Sequence, residues 1–469
     1  MPWRARMLSI PQTSDLQLPN LPPGTFGTPI IGEIREFAAD PIVYMWDRYR
    51  RYGPIFKTHL GGPLVFVIGP EANKFVLHDR PDCFSFSQGV APYVRIMFGD
   101  EPYSLKDGEP WRRLRQLTSP AFSPETLAFT LNTIRVAGEQ RLQEWAEQPT
   151  VTCFPAIKAL LFETIWVWLT GQAEDADRKQ LLHNLYEAFV AVPEVRSGNL
   201  GAARDSSVKR LRRAKLEAGV QLQRQINDLI ATRRNHLGQD VLSQWIQVRD
   251  KTGEGLSDKE IAAHTLLFTV AGSDATAATL TWFLYALNRH PTVKAKAQAE
   301  IDAVIGNQPF TWEHHSKLPY LSSVFKEVER VHSPAFGGTR KIVKSFEFNG
   351  YTVPAGWSLR MCTFVSHHLP EVFEHPERFD PERFAPPREE DKRTQFSLIG
   401  FGGGQRICAG KPYAMLFLMA LAVNILRDYN WTVLEGQDVS PMLHNRATFI
   451  PKSKLKVMFF PRVKTQTAA

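Results

Sequence analysis

The feature of this 469-residue chain that most constrains its fold is a long helical pattern over residues 257–289. Ser257 and Glu260 have the spacing of a capping box, which predicts that a helix begins there. His290 and Pro291 predict where it ends. At 1.5 Å per residue the helix would be roughly 45–50 Å long, which is enough to cross a whole domain. Its middle is apolar on nearly every side, so we expect it to be buried.

Residues 271–276 interrupt this buried run with small and acidic side chains. A glycine such as Gly272 lowers helix stability by about 1 kcal/mol relative to alanine, and a buried Asp274 is costly unless it has a partner. One interpretation is a close helix–helix contact at Gly272 and a locally satisfied Asp274. The other is that the small residues let a bulky group lie flat against the helix, with Asp274 and Thr276 managing protons beside it.

A second distinctive segment, residues 401–412, places Cys408 in a glycine-rich loop just before a predicted helix. Backbone N–H groups and the dipole at a helix start favour a thiolate over a thiol, and a thiolate is a good soft ligand for iron. A lone cysteine is more often a small buried apolar residue, but the glycine loop favours a ligand. A phosphate-binding loop is excluded, because Gln405 and Pro412 stand where its first glycine and its serine or threonine would be.

Composition sets the broad limits. The four cysteines are far apart in the sequence, so they predict neither a disulfide framework nor a zinc site. The net charge of +8 is modest for this length and no basic run is interleaved with aromatic residues, so nucleic-acid binding is not expected. No apolar run near the N-terminus is long enough for a signal peptide or a spanning helix. We therefore expect a cytoplasmic protein without a transmembrane segment, and leave open a peripheral membrane contact.

Three further patterns combine charged and aromatic residues. Glu327 and Arg330 are three residues apart on a predicted helix and share a face. Arg383 lies in an aromatic and proline-rich loop. Trp111 and Arg115 are four residues apart and could together bind one carboxylate. Each pattern alone is a weak signal, since an exposed ion pair contributes little to stability.

Taken together, these motifs resemble the cytochrome P450 family over essentially the whole chain. Residues 401–410 match its haem-binding signature F-x-x-G-x-R-x-C-x-G at every fixed position. The two pairs described above match its E-x-x-R and W-x-x-x-R motifs, and Arg383 matches the third charge of its buried triad. The motifs also occur in the order that the family has.

The resemblance implies the cytochrome P450 fold, which is mainly α with a minor β region and has a long central helix over the haem. We expect a single domain over residues 1–469, with a proline-rich lead at residues 1–32. Short apolar runs joined by turn residues predict two β-hairpins, over residues 55–68 and 346–353.

The resemblance also implies the cofactor, haem b, with Cys408 as the axial ligand of its iron. Glu327, Arg330 and Arg383 would form a buried structural charge triad beneath it. The expected haem contacts are Trp111, Arg115, Arg340 and Arg406 at the propionates, and Ala271, Gly272, Phe401, Cys408 and Gly410 elsewhere.

One position departs from the family pattern, because Ala275 stands where most P450 monooxygenases have a threonine directly after the acid. The catalytic residues implied here are therefore Asp274, Ala275 and Thr276. In the family that threonine helps to deliver protons during O₂ activation. Three explanations stay open. Thr276 or an ordered water takes over, a substrate hydroxyl completes the relay, or the enzyme rearranges a peroxide instead of activating O₂.

The expected substrate is a lipophilic small molecule, because the segments that would form the distal pocket are apolar and aromatic. The residues that would line it are Phe86, Tyr93, Phe98, Phe189, Phe268, Phe336 and Phe449. Residues 22–27, the triple glycine at 402–404 and Gly410 with Lys411 resemble the retinoic-acid-hydroxylating branch of the family and its cyanobacterial relatives. This resemblance suggests an isoprenoid such as a retinoid, terpenoid or sterol.

The implied activity is monooxygenation with O₂ and two electrons from a separate redox partner. We expect a monomer served by a ferredoxin and a ferredoxin reductase, with NAD(P)H acting only indirectly. Lys411, Arg112 and Arg113 would offer a basic face to an acidic ferredoxin. Two alternatives stay open. One is a haem-thiolate isomerase or peroxygenase that needs no electron donor, which Ala275 favours, and the other is a non-catalytic haem sensor.

Overall fold

The computed structural model describes residues 20–28, 32–172, 176–191, 206–444 and 448–463. Its helices are α1 (Ile34–Ala39), α2 (Pro41–Tyr52), α3 (Pro70–Lys74), α4 (Phe86–Phe98), α5 (Gly108–Thr118), α6 (Pro124–Ala146), α7 (Cys153–Thr170), α8 (Ala176–Val190), α9 (Ser206–Asn235), α10 (Val241–Gln247), α11 (Asp258–Arg289), α12 (Pro291–Val304), α13 (Pro319–Val331), α14 (Thr363–Ser366), α15 (Glu390–Arg393) and α16 (Lys411–Asp428). Its strands are β1 (Ile55–His59), β2 (Pro63–Val67), β3 (Phe84–Ser85), β4 (Val151–Thr152), β5 (Thr339–Ile342), β6 (Phe346–Phe348), β7 (Tyr351–Val353), β8 (Ser358–Met361), β9 (Tyr429–Val433), β10 (Pro441–His444), β11 (Thr448–Pro451) and β12 (Lys456–Pro461).

The largest sheet is mixed and has the strand order β1-β2-β8-β5-β3. β1 and β2 form the antiparallel hairpin predicted over residues 55–68, and β8 then pairs parallel to β2. The hairpin predicted over residues 346–353 consists of β6 and β7. Asn349 and Gly350 between these strands both have positive φ, as a tight hairpin turn requires. The expectation of a mainly α chain with a minor β region is therefore confirmed.

Helix α11 crosses the helical part of the molecule with the bounds that the sequence predicts. The Glu260 N–H donates to Ser257 Oγ, and the Ser257 N–H donates to the Glu260 carboxylate at 2.8 Å, so the capping box is complete. The helix is buried from residue 261 to 269 and again from 276 to 284, where it packs along α7 and β11. The stretch between these two parts is more accessible, and it holds the small and acidic residues singled out above.

One described helix, α7, is long and apolar enough to cross a membrane by its length and composition alone. Its mean hydropathy is 1.3, but 72% of that window is buried within the protein. The helix packs against α6, α10 and α11, which accounts for its apolar composition. Helix α7 is therefore a core helix of this fold.

The side chains of Glu327, Arg330 and Arg383 are buried together between α13 and a 3₁₀ turn at Pro381–Phe384, each with 0% exposure. Arg330 donates from Nε and Nη2 to the two carboxylate oxygens of Glu327, each at 2.8 Å. Arg383 Nε donates to the same carboxylate at 3.2 Å. Two guanidinium groups thus share one carboxylate, and the second positive charge needs a further partner.

That partner is Glu390, which sequence reasoning missed. Arg383 Nη1 lies 2.7 Å from Glu390 Oε2, and Glu390 is 2% exposed. Arg388 joins Glu390 to Asp380 with distances of 2.6 Å to each carboxylate. The remaining N–H groups of Arg330 donate to three backbone carbonyl groups between α14 and α15. The network therefore ties α13 to the segment that follows α14.

We predict that Arg383→Leu lowers the free energy of unfolding by about 3–5 kcal/mol, because it leaves two buried carboxylates without their shared cation. The exposed pair of Lys392 and Glu389 provides the matched control, and Lys392→Ala should have little measurable effect. Denaturant unfolding monitored by circular dichroism measures both. Equal midpoints for the two variants would contradict a structural role for the network.

Candidate active site

The cysteine loop lies between the end of a 3₁₀ turn at Gly404–Arg406 and the start of α16. The Cys408 N–H donates to the Phe401 carbonyl at 2.9 Å, which folds the loop back on itself. Gly404 has φ +60, and a Cβ there would lie 2.1 Å from the Leu77 carbonyl oxygen. Glycine is therefore required at this position both for its conformation and for the close approach of a neighbouring chain segment.

Cys408 is exposed, whereas the other cysteines of the described chain are buried. Its sulfur lies where the amide groups of Gly410 and Lys411 and the charges of Arg115 and Lys411 favour the thiolate. Burial among the surrounding protein atoms outweighs these effects and raises the pKa of the Cys408 thiol above its ordinary value. The predicted ionisation of Cys408 would therefore depend on the cofactor, since coordination to a metal deprotonates a thiol outright.

On α11, the accessible face is formed by Ala271 and Ala275. Ala271 is exposed and Ala275 is half-buried in a helix that is otherwise largely buried. Residues four apart lie on the same side of a helix, so these two alanines form one strip. A strip without side chains beyond Cβ leaves room for a flat group against the helix.

Gly272 lies on a different face, which is turned toward Ile165 of α7. A Cβ at Gly272 would lie 2.9 Å from Ile165 Cδ1, and Thr276 is 5% exposed. Gly272 therefore permits a close helix–helix contact, which was the simpler of the two interpretations. The assignment of Gly272 as a haem contact stays a prediction, because this packing concerns only the side of the residue that faces Ile165.

The Asp274 carboxylate is paired with Lys158 of α7. Lys158 Nζ lies 3.0 Å from Asp274 Oδ1 and 3.1 Å from Glu187 Oε1, and Lys158 is only 4% exposed. His444 Nε2 lies 3.9 Å from Asp274 Oδ2. The half-buried Asp274 thus has a buried cation as its partner, and sequence reasoning missed Lys158 because no motif marks it.

The residues predicted at the propionates lie close together in the structure. Arg406 Cζ lies 4.1 Å from the centre of the Trp111 ring. The Phe86 ring lies between Arg406 and Arg340, at 5.1 and 4.8 Å from their guanidinium carbons. Arg406 Nη2 donates to Asp107 Oδ1 at 2.7 Å, which fixes its direction. Asp107 and Phe86 thus belong to this arginine cluster, and neither role could be deduced from the sequence.

The charge balance of the cluster shows what it would bind. Burial lowers the pKa of both Arg340 and Arg406 to about 10, and the charge of Arg406 adds to the effect on Arg340. Within the described residues, Trp111 Nε1 and Arg406 Nη1 have no hydrogen-bond acceptor. Arg115 adds a third positive charge and donates to the Ile407 carbonyl at 3.2 Å. Carboxylates would neutralise these charges and accept the free N–H groups, so the residues fit the two propionates of haem b.

Four of the residues predicted to line a substrate pocket form two separate pairs. Phe98 and Phe189 are in edge-to-face contact with ring centres 6.2 Å apart. Phe336 and Phe449 lie with ring centres 5.8 Å apart and are 2% and 3% exposed. The second pair belongs to a hydrophobic core beside the large sheet. Among the described residues, no ring contact joins the Phe98–Phe189 pair to the Phe336–Phe449 pair.

The other predicted pocket residues lie elsewhere. Phe268 is 7% exposed and packs edge-to-face on Trp245 with ring centres 5.5 Å apart, which makes it part of the helical core. Phe86 belongs to the arginine cluster, as described. Tyr93 lies on α4, but its side chain is outside the part of the chain that the structure describes. An aromatic residue in an apolar segment thus predicts burial better than it predicts a pocket.

A family model described as Cytochrome P450 matches residues 22–459. A putative cytochrome P450 120 of Synechocystis sp. (strain ATCC 27184 / PCC 6803 / Kazusa) is 28% identical over 444 residues, which cover 93% of this chain and 96% of that protein. Abscisic acid 8'-hydroxylase 2 of Arabidopsis thaliana is 27% identical, and the match covers 94% of this chain and 90% of that protein. The structure of retinoic acid-bound cyanobacterial CYP120A1 matches with a TM-score of 0.84 at 27% identity. The match covers 94% of this chain and 99% of that structure's chain.

These matches extend over nearly the full chain and show the cytochrome P450 fold. The cofactor of this family is Cys-ligated haem b, and the arginine cluster has the charge to receive such a group. P450 enzymes act on lipophilic substrates and receive their electrons through redox partners, typically from NAD(P)H. This chain belongs to the cytochrome P450 family, and it is a haem-dependent monooxygenase.

Proposed function

We propose that this P450 hydroxylates a lipophilic isoprenoid, such as a retinoid, terpenoid or sterol, with Cys408 as the ligand of the haem iron. The observation that carries the proposal is the accessible Cys408 sulfur in a loop whose amide groups favour a negative charge on it. Cys83, Cys153 and Cys362 are 0–1% exposed, so they could not reach a cofactor without large rearrangement. Bound haem supplies the activation of O₂ and the insertion of one oxygen atom into the substrate.

The chain's own residues would bind and orient the cofactor. Arg406, Arg340 and Arg115 offer guanidinium N–H groups to the propionates, and Trp111 offers its indole N–H. Ala271 leaves room above the ring plane, and the amides of Gly410 and Lys411 stabilise negative charge on the sulfur. The charge network around Glu327 keeps α13 in place below.

The relatives support an isoprenoid substrate. Cyanobacterial CYP120A1 is bound to retinoic acid, and plant relatives are named as an abscisic acid 8'-hydroxylase and a taxane 10-beta-hydroxylase. Retinoic acid, abscisic acid and taxanes are all lipophilic terpenoids.

Proton delivery on the α11 side must be achieved without a hydroxyl at position 275. Thr276 is only 5% exposed, so it offers little of its side chain to a reactant at the accessible strip. The Asp274 carboxylate is paired with Lys158. To pass a proton, this carboxylate would have to exchange Lys158 for water. An ordered water or a hydroxyl on the substrate is the donor that this arrangement leaves.

A second candidate function follows from the same position. Ala275 lies on the accessible strip of α11, where it offers no proton to a bound reactant. A haem-thiolate isomerase or peroxygenase needs no such delivery and no electron donor. This alternative is therefore distinguished from the first by its source of oxygen and electrons.

The proposed electron donor is an acidic ferredoxin with its reductase, serving a cytoplasmic monomer. Lys411 is exposed beside a cavity of about 640 Å³ that Cys408 also lines, so a basic group is available near the sulfur. Arg112 is exposed as well. Arg113 is engaged instead with Asp250 at 2.6 Å, so it is removed from the expected docking surface.

We predict that retinoic acid and a sterol bind to the haem form at least about tenfold more tightly than a fatty acid of similar size, because a rigid ligand loses less conformational freedom on binding. Spectral titration at the Soret band measures the binding. Hydroxylated product should form with O₂, NADPH, ferredoxin and reductase. Preference for the fatty acid would contradict the substrate class, and product formed only with a peroxide would favour the second candidate.

We predict that Ala275→Thr increases the fraction of consumed electrons that appears in product, because it adds a hydroxyl on the accessible strip of α11. Thr276→Val is the matched control, since it removes the hydroxyl of a neighbouring residue that is only 5% exposed, and it should change the fraction little. NADPH consumption and product are measured together. A loss of coupling in Thr276→Val with no change in Ala275→Thr would assign proton delivery to Thr276.

A further inference from the structure

The segment that leads into the cysteine loop is held by two side chains from outside it. The Ile399 N–H donates to His367 Nε2 at 2.9 Å, and the Gly400 N–H donates to Glu329 Oε1 at 2.8 Å. The Gly402 N–H donates to the Ile399 carbonyl at 2.8 Å and closes the turn. Consecutive backbone amides are thus bound by His367 and Glu329 just before Phe401, whose carbonyl in turn binds the Cys408 N–H.

The Glu329 side chain fits closely against Gly400. It lies on α13 between Val328 and Arg330, but its carboxylate turns toward the loop and away from the buried network that Arg330 joins. A Cβ at Gly400 would lie 2.5 Å from Glu329 Cγ. Gly400 therefore leaves the space that the Glu329 side chain occupies, and the two residues fit each other.

The charges around Glu329 link it to the sulfur. Burial raises the pKa of Glu329 to about 7, against the opposing effects of Lys411, the Gly400 amide and Lys326. Lys411 also favours the charged form of Cys408, so one ammonium group acts on both acids. Lys326 is itself paired with Asp391 at 2.7 Å.

The remaining neighbour of this segment is His367. Burial lowers its pKa to about 3, so its ring stays neutral as an acceptor for Ile399. No change in the charge of His367 is therefore expected near neutral pH, and Glu329 is the group of this pair that titrates there.

We propose that Glu329 is a positioning residue for Cys408. Glu329 holds the segment that leads into the cysteine loop, through the Gly400 N–H, and the charge of Lys411 acts on both Glu329 and the sulfur. The inference rests on the proposed ligation of haem by Cys408. Both protonation states of Glu329 can accept the Gly400 N–H, so the loop stays in place across neutral pH. What changes is the charge: the carboxylate adds a negative charge beside the segment that leads into the cysteine loop, and the neutral carboxyl does not.

The charge of Glu329 would make the midpoint potential of the haem depend on pH. A negative charge favours ferric over ferrous haem, and the reduced protein therefore holds the Glu329 proton more tightly. The midpoint potential should fall as the pH rises from about 6 to about 8. Glu329→Gln keeps an acceptor oxygen for Gly400 but cannot lose a proton, so its potential should vary less over the same range.

The experiment compares three variants of the full-length haem protein. Glu329→Gln retains the acceptor, Glu329→Leu removes it, and Glu300→Gln is the matched control. Glu300 also accepts two backbone N–H groups, from Tyr320 and Leu321 at 2.8 and 2.9 Å, but at the far end of α13. The carbon monoxide difference spectrum measures the thiolate-ligated fraction, and a redox titration measures the potential.

We expect the fraction that lacks the thiolate-type Soret band to rise about tenfold in Glu329→Leu, because the partly buried Gly400 N–H loses its acceptor. Glu329→Gln should keep the band and lose most of the pH dependence, and Glu300→Gln should match the wild type in both measurements. A wild-type pH dependence in Glu329→Gln, or loss of its band, would overturn the proposal. So would a Glu329→Leu spectrum equal to that of Glu300→Gln. Persistence of the band in Cys408→Ala would instead overturn the ligation on which the proposal rests.

Discussion

The part of the molecule that carries the cysteine loop depends on a carboxylate from which water is excluded. Glu327 is 0% exposed and is shared by Arg330 and Arg383, which are themselves fully buried. Charges of this kind are stable only as a group, because removing one leaves the others desolvated and unpaired. The guanidinium groups also bind backbone carbonyls between α14 and α15, so the group fixes α13 within the surrounding chain.

Once α13 is fixed, its other side can hold the cysteine loop. Glu329 reaches Gly400 from that side, and the loop then turns back so that Phe401 receives the Cys408 N–H. Burial raises the pKa of the Cys408 thiol, whereas the amides of Gly410 and Lys411 and nearby cations favour the anion. A metal bound to the sulfur would remove the proton.

Much of this arrangement could be predicted from the sequence, because local patterns encode it. The capping box at Ser257 gave the start of α11, and fixed spacings identified Cys408 and the partners of Glu327. What could not be predicted depends on contacts between distant segments. Lys158 for Asp274, Asp107 for Arg406 and Glu390 for Arg383 are examples, since each pair is made only by the folded chain.

The orientation of residues on α11 shows the same limit. Gly272 belongs to a motif that suggests a cofactor, but the structure also packs it against Ile165 of α7, a contact that the motif does not reveal. The burial of the predicted pocket residues likewise depends on how the elements pack. Aromatic side chains such as Phe268 and Phe336 fill cores wherever the helices and the sheet leave space, and the sequence does not distinguish such a core from a cavity.

The central claim is that the Cys408 sulfur binds the haem iron. X-ray absorption at the iron edge tests it most directly, because it detects which elements surround the metal. The account predicts one sulfur neighbour of iron in the wild-type protein and only nitrogen and oxygen neighbours in Cys408→Ser. A sulfur neighbour that persists in Cys408→Ser, or is absent from the wild type, would contradict it.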